Sequence, residues 1–293
     1  MFNFIYFYQH VPYYLNPAIF SIGFFSLDWY SLMYLIGFFV VYLLLKYRIS
    51  HNEFHFKTDA FLITRNQKNS HNLLLDFLLH VFIGLIIGAR LGYVLFYNLS
   101  YYWNNPLAII SPFDPTTHKL IGIYGMSYHG GLLGVLIAAW IFTKIYRINF
   151  WKLANFVAPA VPAGYFFGRI GNFMNGELWG RVTHVTWGMY FPADPTSQLR
   201  HPSQLYEAAL EGLLLFLLLW TVRNHKRVRG QLIGWYILGY AAFRILVEFF
   251  RQPDEQIGYI WNFLTMGQLL SFFMLMAGLI LIFYLRRKSK KML

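Results

Sequence analysis

The stretch Trp151–Arg181, WKLANFVAPAVPAGYFFGRIGNFMNGELWGR, decides what kind of chain this is. Its first half, ending at Phe167, is apolar and reads as a lipid-facing or bundle-core helix. The second half, Gly168–Arg181, packs two Arg, two Asn, one Glu and four Gly into the residues that follow. Charges beside an apolar span are costly to desolvate and usually mark function. Arg169 and Glu177 are therefore predicted to sit near one membrane surface.

The rest of the chain carries the same signature. Of 293 residues, 57% are hydrophobic, 21% aromatic and 12% charged, against about 25% charged in an ordinary soluble domain. Apolar stretches of about twenty residues recur, enough to cross a hydrocarbon core about 30 Å thick. The fold class is thus all-α: a polytopic helical membrane protein with about seven transmembrane helices. The predicted spans are Tyr30–Leu45, Leu73–Tyr97, Gly130–Phe142, Leu153–Phe167, Tyr206–Val222, Gln231–Phe250 and Met266–Leu285. The third and fourth are short, and are expected to borrow neighbouring residues or abut a re-entrant loop. Residues 1–293 read as a single integral membrane domain.

Orientation follows from Lys and Arg, which cytoplasmic loops retain. Five follow the first span (Lys46, Arg48, Lys57, Arg65, Lys68) and three lie between the third and fourth (Lys144, Arg147, Lys152). Four follow the fifth span (Arg223, Lys226, Arg227, Arg229) and five close the chain (Arg286, Arg287, Lys288, Lys290, Lys291). The C-terminus and a polar loop at 48–72 are then cytoplasmic. The N-terminus, the polar segment at 168–205 and the loops Asn98–Tyr128 and Arg251–Thr265 face outward. The net charge of +12 is accounted for by these juxtamembrane groups and by contact with anionic membrane lipid, so nucleic acid is not a predicted partner.

Cysteine is absent, so any thiol in the chemistry must come from a substrate. The N-terminal MFNFIYFYQHVPYYL has no Lys or Arg and no small-residue cleavage pattern. It reads as an aromatic interfacial segment rather than a secretory signal. No metal or organic cofactor is indicated.

Several polar groups interrupt apolar surroundings. In the sixth span Tyr240, Arg244 and Glu248 recur four apart and share a helical face, on which Arg251 would return if the helix continues. A structural ion pair is the plain explanation of Arg244 and Glu248. In GARLGYVLFYN, Arg90 is open to three roles: snorkelling, helix packing beside its glycines, or ligand contact. MSYHGGLLG puts His129 at the outer end of the third span, as a cap or as a proton acceptor. In GRIGNFMNGE, Gly168 and Gly171 permit close approach or unusual dihedrals, while Asn172 and Asn175 supply amides. HPSQLYEAALEG leads into the fifth span with Glu207 and Glu211 four apart, Glu207 facing either an Arg, a ligand or interfacial water. Trp29 and Tyr30 stand at the outer boundary, where aromatic belts are common.

Together these motifs resemble the bacterial prolipoprotein diacylglyceryl transferases. GARLGYVLFYN, MSYHGGLLG, GRIGNFMNGELWGR, HPSQLYE and the Tyr240, Arg244, Glu248 set with FFRQPDE look like that family's motifs in the family's order, over most of the chain. Tyr128 departs from the Phe expected there, and nothing in the 48–72 loop matches. The resemblance implies transfer of the diacylglyceryl group from phosphatidylglycerol to the lipobox cysteine thiol of a preprolipoprotein, forming a thioether and releasing glycerol phosphate. It places the chain in the bacterial cytoplasmic (inner) membrane with its site toward the outer leaflet. The matching site positions are Tyr30, His129, Arg169, Asn172, Glu177, Gly180, Tyr240, Arg244 and Glu248, and Arg169 looks like the family's phosphatidylglycerol-binding arginine.

The residue chemistry agrees. A phosphodiester leaving as a monoester gains negative charge, which preorganised guanidiniums stabilise. Arg169 is expected to hold the phosphate and Arg244 the developing charge, with Glu177 and Glu248 orienting them. His129 is the expected base for the thiol, whose unperturbed pKa is about 8.5. A transporter would also place Arg, Glu and Tyr in a bundle, but with repeated halves or matched broken helices. A non-catalytic scaffold leaves the outward polar cluster unexplained.

Overall fold

In a computed structural model of the protein, the described residues are 4–22, 25–56, 70–111, 125–253, 259–260 and 263–290. They divide into two compact units, Met1–Arg48 with Ala154–Leu293, and Ile49–Leu153. Most of the loop predicted at 48–72, namely 57–69, lies outside the described residues, as do 112–124, 254–258 and 261–262 of the two predicted outer loops.

The chain begins with two short helices, α1 (Phe4–Gln9) and α2 (Val11–Tyr14), then a hairpin of β1 (Ala18–Ile22) and β2 (Phe25–Asp28). The aromatic segment exposes Phe4, Tyr6 and Tyr14, as a segment at a polar–apolar boundary requires. It is tied down at Gln9, whose carbonyl accepts from Tyr190 N at 2.8 Å and whose amide donates to the Thr186 carbonyl at 3.2 Å. The hairpin leads directly into α3 (Trp29–Ser50).

The unit Ile49–Leu153 is built on two long helices, α4 (Ser70–Tyr97) and α6 (Tyr128–Ile145), with α5 (Leu99–Asn104) and a 3₁₀ turn (Pro106–Ile109) between them. The two long helices pack glycine on glycine: a Cβ at Gly88 would stand 2.4 Å from the Gly130 carbonyl oxygen. Only small residues allow backbones this close, the packing role predicted for the GARLG glycines. Arg90 turns to the backbone of the connection. Its guanidinium donates to the carbonyls of Ile109 and Ala108, both at 2.7 Å, and of Gly125 at 3.3 Å, and lies over the Tyr102 ring. It clamps the connection between the two helices.

The remaining helices are α7 (Phe150–Val157), α8 (Val161–Met174), α9 (Ser203–Glu207), α10 (Leu215–Val222), α11 (Leu232–Glu248) and α12 (Met266–Lys290), with a π-helical segment (Ala208–Leu214) joining α9 to α10 and a small β3 (Tyr259–Ile260) and β4 (Leu264–Thr265) pair before α12. Five helices among the described residues are long and apolar enough to cross a membrane: Trp29–Ser50, Asn72–Tyr97, Tyr128–Ile145, Ser203–Val222 and Met266–Arg287.

Two predicted spans take another form. Leu153–Phe167 is not one helix but the junction of α7 and α8, turned at 158–160 by an Ala160 N to Val157 O bond of 2.9 Å. Pro159 and Pro162 explain the break, since proline lacks a donor and disfavours helical backbone in the residue before it. Gln231–Phe250 is the 17-residue α11. In the other direction, α8 runs on through GRIGNF to Met174 instead of ending at Phe167. The turn comes at Asn175–Leu178, where Gly176 and Leu178 adopt φ of 66° and 59°.

Outside the helices, 175–202 is held by polar bonds. Arg200 grips Asp194 with two bonds of 2.7 and 3.0 Å and also donates to Thr196 at 2.8 Å. Burial acts to raise the Asp194 pKa, but the bonds from Arg200 and Thr196 outweigh it and hold the carboxyl down at about 2.

Candidate active site

Tyr165, Arg169 and Asn172 fall at i, i+4 and i+7 of α8 and so share a face. Tyr240, Arg244 and Glu248 do the same on α11. Between them stand two carboxylates that are fully buried, Glu207 at the end of α9 and Glu211 in the π-helical turn. Such turns are rare and often occur at functional sites, because the widened helix redirects side chains. Gly212 permits this one: a Cβ there would stand 2.8 Å from the Phe166 Cα, so the segment lies directly against the α8 backbone.

Glu207 is the centre of the cluster. Its Oε2 lies 2.9 Å from Arg169 Nε and 3.1 Å from Arg244 Nη1, so one carboxylate oxygen bridges the two guanidiniums. Glu248 closes the other side of Arg244, Oε2 to Nη2 at 3.2 Å, and Arg251 stands 3.8 Å from both Glu207 Oε1 and Glu248 Oε1. Thr265 donates to Glu248 Oε1 at 3.0 Å. Three guanidiniums thus face three carboxylates. Buried charges in apolar surroundings persist only when paired in this way.

Arg169 is oriented from three directions. Besides Glu207, it donates through Nη1 to Asn172 Oδ1 at 3.1 Å and stacks on the Tyr165 ring, its Cζ 4.7 Å from the centroid. Asn172 in turn donates to Glu177 Oε1 at 2.7 Å. Arg169 Nη2 donates no hydrogen bond among the described residues, and the side chain keeps 17% of its surface exposed. A planar fork oriented by its neighbours and with Nη2 still free to donate among the described residues is suited to an anionic oxygen.

Gly180 sits in a short ladder at the edge of the cluster. Its N–H donates to the His201 carbonyl at 2.8 Å, and Arg181 N donates to the Phe250 carbonyl at 2.8 Å. A Cβ at Gly180 would stand 2.4 Å from the Phe250 oxygen, so glycine is obligatory for this approach. Arg181 then reaches the carbonyls of Arg251 and Glu248 at 2.9 and 3.2 Å, which fixes the backbone that carries the two charged side chains.

Residues 17–284 match the family model of the prolipoprotein diacylglyceryl transferases. The chain belongs to this family. It is 44% identical over 292 residues, 99% of its length and 96% of the relative's, to a phosphatidylglycerol–prolipoprotein diacylglyceryl transferase of Chlorobaculum tepidum. Proteins of the same name from Legionella pneumophila (strain Paris) and Rickettsia bellii (strain OSU 85-389) are 43% and 44% identical, over 90% and 92% of this chain and 95% and 94% of their own.

The family positions predicted from the motifs divide in two. Arg169, Asn172, Glu177, Gly180, Tyr240, Arg244 and Glu248 all lie in or beside the cluster. Tyr30 lies in the same unit: it donates to Tyr34 Oη at 3.0 Å and packs on α8, where a Cβ at Gly171 would stand 3.3 Å from the Tyr30 Cα. His129 belongs to the other unit, exposed at the start of α6 just after its N-cap Ser127. The expected orienting of Arg169 by Glu177 takes an indirect form. Glu177 reaches it only through Asn172, and Glu207 holds it directly.

The sequence left Glu207 open among an Arg, a ligand and interfacial water, and gave Glu211 and Tyr165 no place in the site. The signal was present: two Glu four apart within an apolar run, and a Tyr one turn before Arg169. Nothing in one sequence says which arginines those groups meet.

Proposed function

We propose that this protein transfers the diacylglyceryl group of phosphatidylglycerol to the lipobox cysteine of preprolipoproteins, the first step of bacterial lipoprotein maturation. In the reaction a sulfur–carbon bond forms at the glycerol carbon and the carbon–oxygen bond to phosphate breaks, its electron pair leaving on the phosphate oxygen. The products are a thioether and glycerol phosphate. The thiol proton goes to a base, and His129 is our candidate.

The single observation that carries this reading is the pair Arg169 and Arg244, bridged by one Glu207 oxygen at 2.9 and 3.1 Å within apolar helices. The phosphate begins with one negative charge and leaves with nearly two, its second ionisation lying at about pH 6. Guanidiniums already fixed by carboxylates need little reorganisation as that charge grows. Arg169, through the Nη2 that makes no hydrogen bond among the described residues, holds the lipid phosphate. Arg244 stabilises the departing monoester, steadied by Glu248. Tyr30 and Tyr240 complete the catalytic side of the site, while Asn172, Glu177 and Gly180 complete the side that binds substrate.

The chain is a single domain of about seven spans in the bacterial inner membrane, with its N-terminus outside and C-terminus cytoplasmic, and the site opens toward the outer leaflet. Seventeen Lys and Arg on one side support this orientation.

The test is purified protein in phosphatidylglycerol micelles with a lipobox peptide, read by mass spectrometry. A diacylglyceryl mass gain on the peptide, absent when its Cys is Ser, is the expected result. No gain with intact lipid and peptide would remove the proposal.

A further inference from the structure

Tyr165 is not among the family positions matched from the sequence motifs, yet it contacts four members of the cluster. It donates through Oη to Glu211 Oε2 at 2.5 Å, with Glu207 Oε2 at 3.2 Å, while its ring carries the Arg169 guanidinium on one face and meets the Tyr240 ring edge-on. We propose that Tyr165 is a positioning residue for both arginines: its ring seats Arg169, and its hydroxyl satisfies the Glu211 carboxylate by hydrogen bonding so that Arg244 stays on Glu207 and Glu248. The inference rests on the phosphate roles given above to Arg169 and Arg244.

Glu211 is what makes the hydroxyl necessary. Its carboxylate is fully buried, its Oε1 has no hydrogen-bond partner among the described residues, and Arg244 Nη1 is 3.7 Å away. The Tyr165 hydroxyl is therefore the one close donor that Glu211 has among the described residues. Without it a buried anion would be left unsatisfied, and the nearest remedy is Arg244, which would be drawn off Glu207 at 3.1 Å toward Glu211. Arg169 would feel the ring and not the hydroxyl. Half-buried beside the cluster, Tyr165 acts through the charged groups it holds.

The two parts of Tyr165 separate experimentally. Tyr165→Phe keeps the stacked ring and strands Glu211, so kcat falls about tenfold with KM for phosphatidylglycerol within about twofold. Tyr165→Leu removes the ring as well and additionally raises KM about tenfold. The decisive variant is Tyr165→Phe with Glu211→Gln, which removes the stranded charge and recovers most of the lost kcat. Each variant is compared at equal folded fraction in detergent, and Tyr165→Phe with Glu211→Gln also reports if Tyr165→Phe alone is poorly folded. A Tyr165→Phe protein with wild-type kcat, or a double variant no better than Tyr165→Phe, would overturn the inference. If wild type shows no phosphatidylglycerol-dependent transfer, or Arg169→Ala is as active as wild type, the underlying functional reading fails instead.

Discussion

Arg90 and Arg169 each lie on a helix and each stack on a tyrosine, yet their guanidiniums are held differently. Arg90 directs its guanidinium at three backbone carbonyls, those of Ala108, Ile109 and Gly125. Carbonyls satisfy donors without carrying a countercharge, and this clamp occupies all three nitrogens of the guanidinium. Arg169 is held by a carboxylate, an amide and a ring, and its Nη2 is unused among the described residues. A structural arginine ends on the backbone. A binding arginine ends on side chains that fix its direction and leave donors open.

The largest effect expected from this contrast belongs to Glu207. Glu207→Gln leaves Arg169 and Arg244 short of a countercharge inside the bundle, at about 3–5 kcal/mol of stability. Unfolding in mixed detergent micelles measures it, and a loss below about 1 kcal/mol would mean that the cluster is not an interdependent network. Next is Arg169→Ala, for which kcat/KM with phosphatidylglycerol falls about 10²–10³-fold, the usual consequence of removing one preorganised donor. Arg90→Ala is expected to lose about 1–3 kcal/mol of stability through stranded carbonyls, with kcat/KM per folded molecule unchanged.

How far the sequence revealed this arrangement depends on how local each signal is. Apolar runs and basic loops marked the membrane helices, because length and hydropathy belong to single segments. The break at 158–160 was obscured by the apolar character of Pro159, Pro162 and their neighbours, which reads as span although proline ends the helix. Tyr240, Arg244 and Glu248 were grouped correctly, since a four-residue spacing fixes a shared face. Glu207 and Glu211 were seen as a pair on one helix, but their meeting with α8 and α11 depends on a π-helical turn and on Gly212. Those are long-range consequences of packing. The carbonyl clamp on Arg90 was equally invisible, because its acceptors are backbone atoms and no residue type announces them.

The smallest expected effect lies outside the helices. Asp194, whose pKa is held down at about 2 from an ordinary 3.8, contributes stability that is fully present above about pH 4 and lost as pH falls through about 2. Asp194→Asn should therefore be less stable than wild type at neutral pH. The gap should close as pH is lowered toward 2. A gap independent of pH would show that the Arg200 contact stabilises by packing and not by charge.

The central claim is best tested by measuring phosphatidylglycerol-dependent kcat/KM for Arg169→Ala and Arg90→Ala side by side, normalised to folded protein, with a lipobox peptide as acceptor and mass spectrometry as readout. A loss of at least about 100-fold is expected for Arg169→Ala and a change within about twofold for Arg90→Ala. Equal losses in the two variants would contradict it.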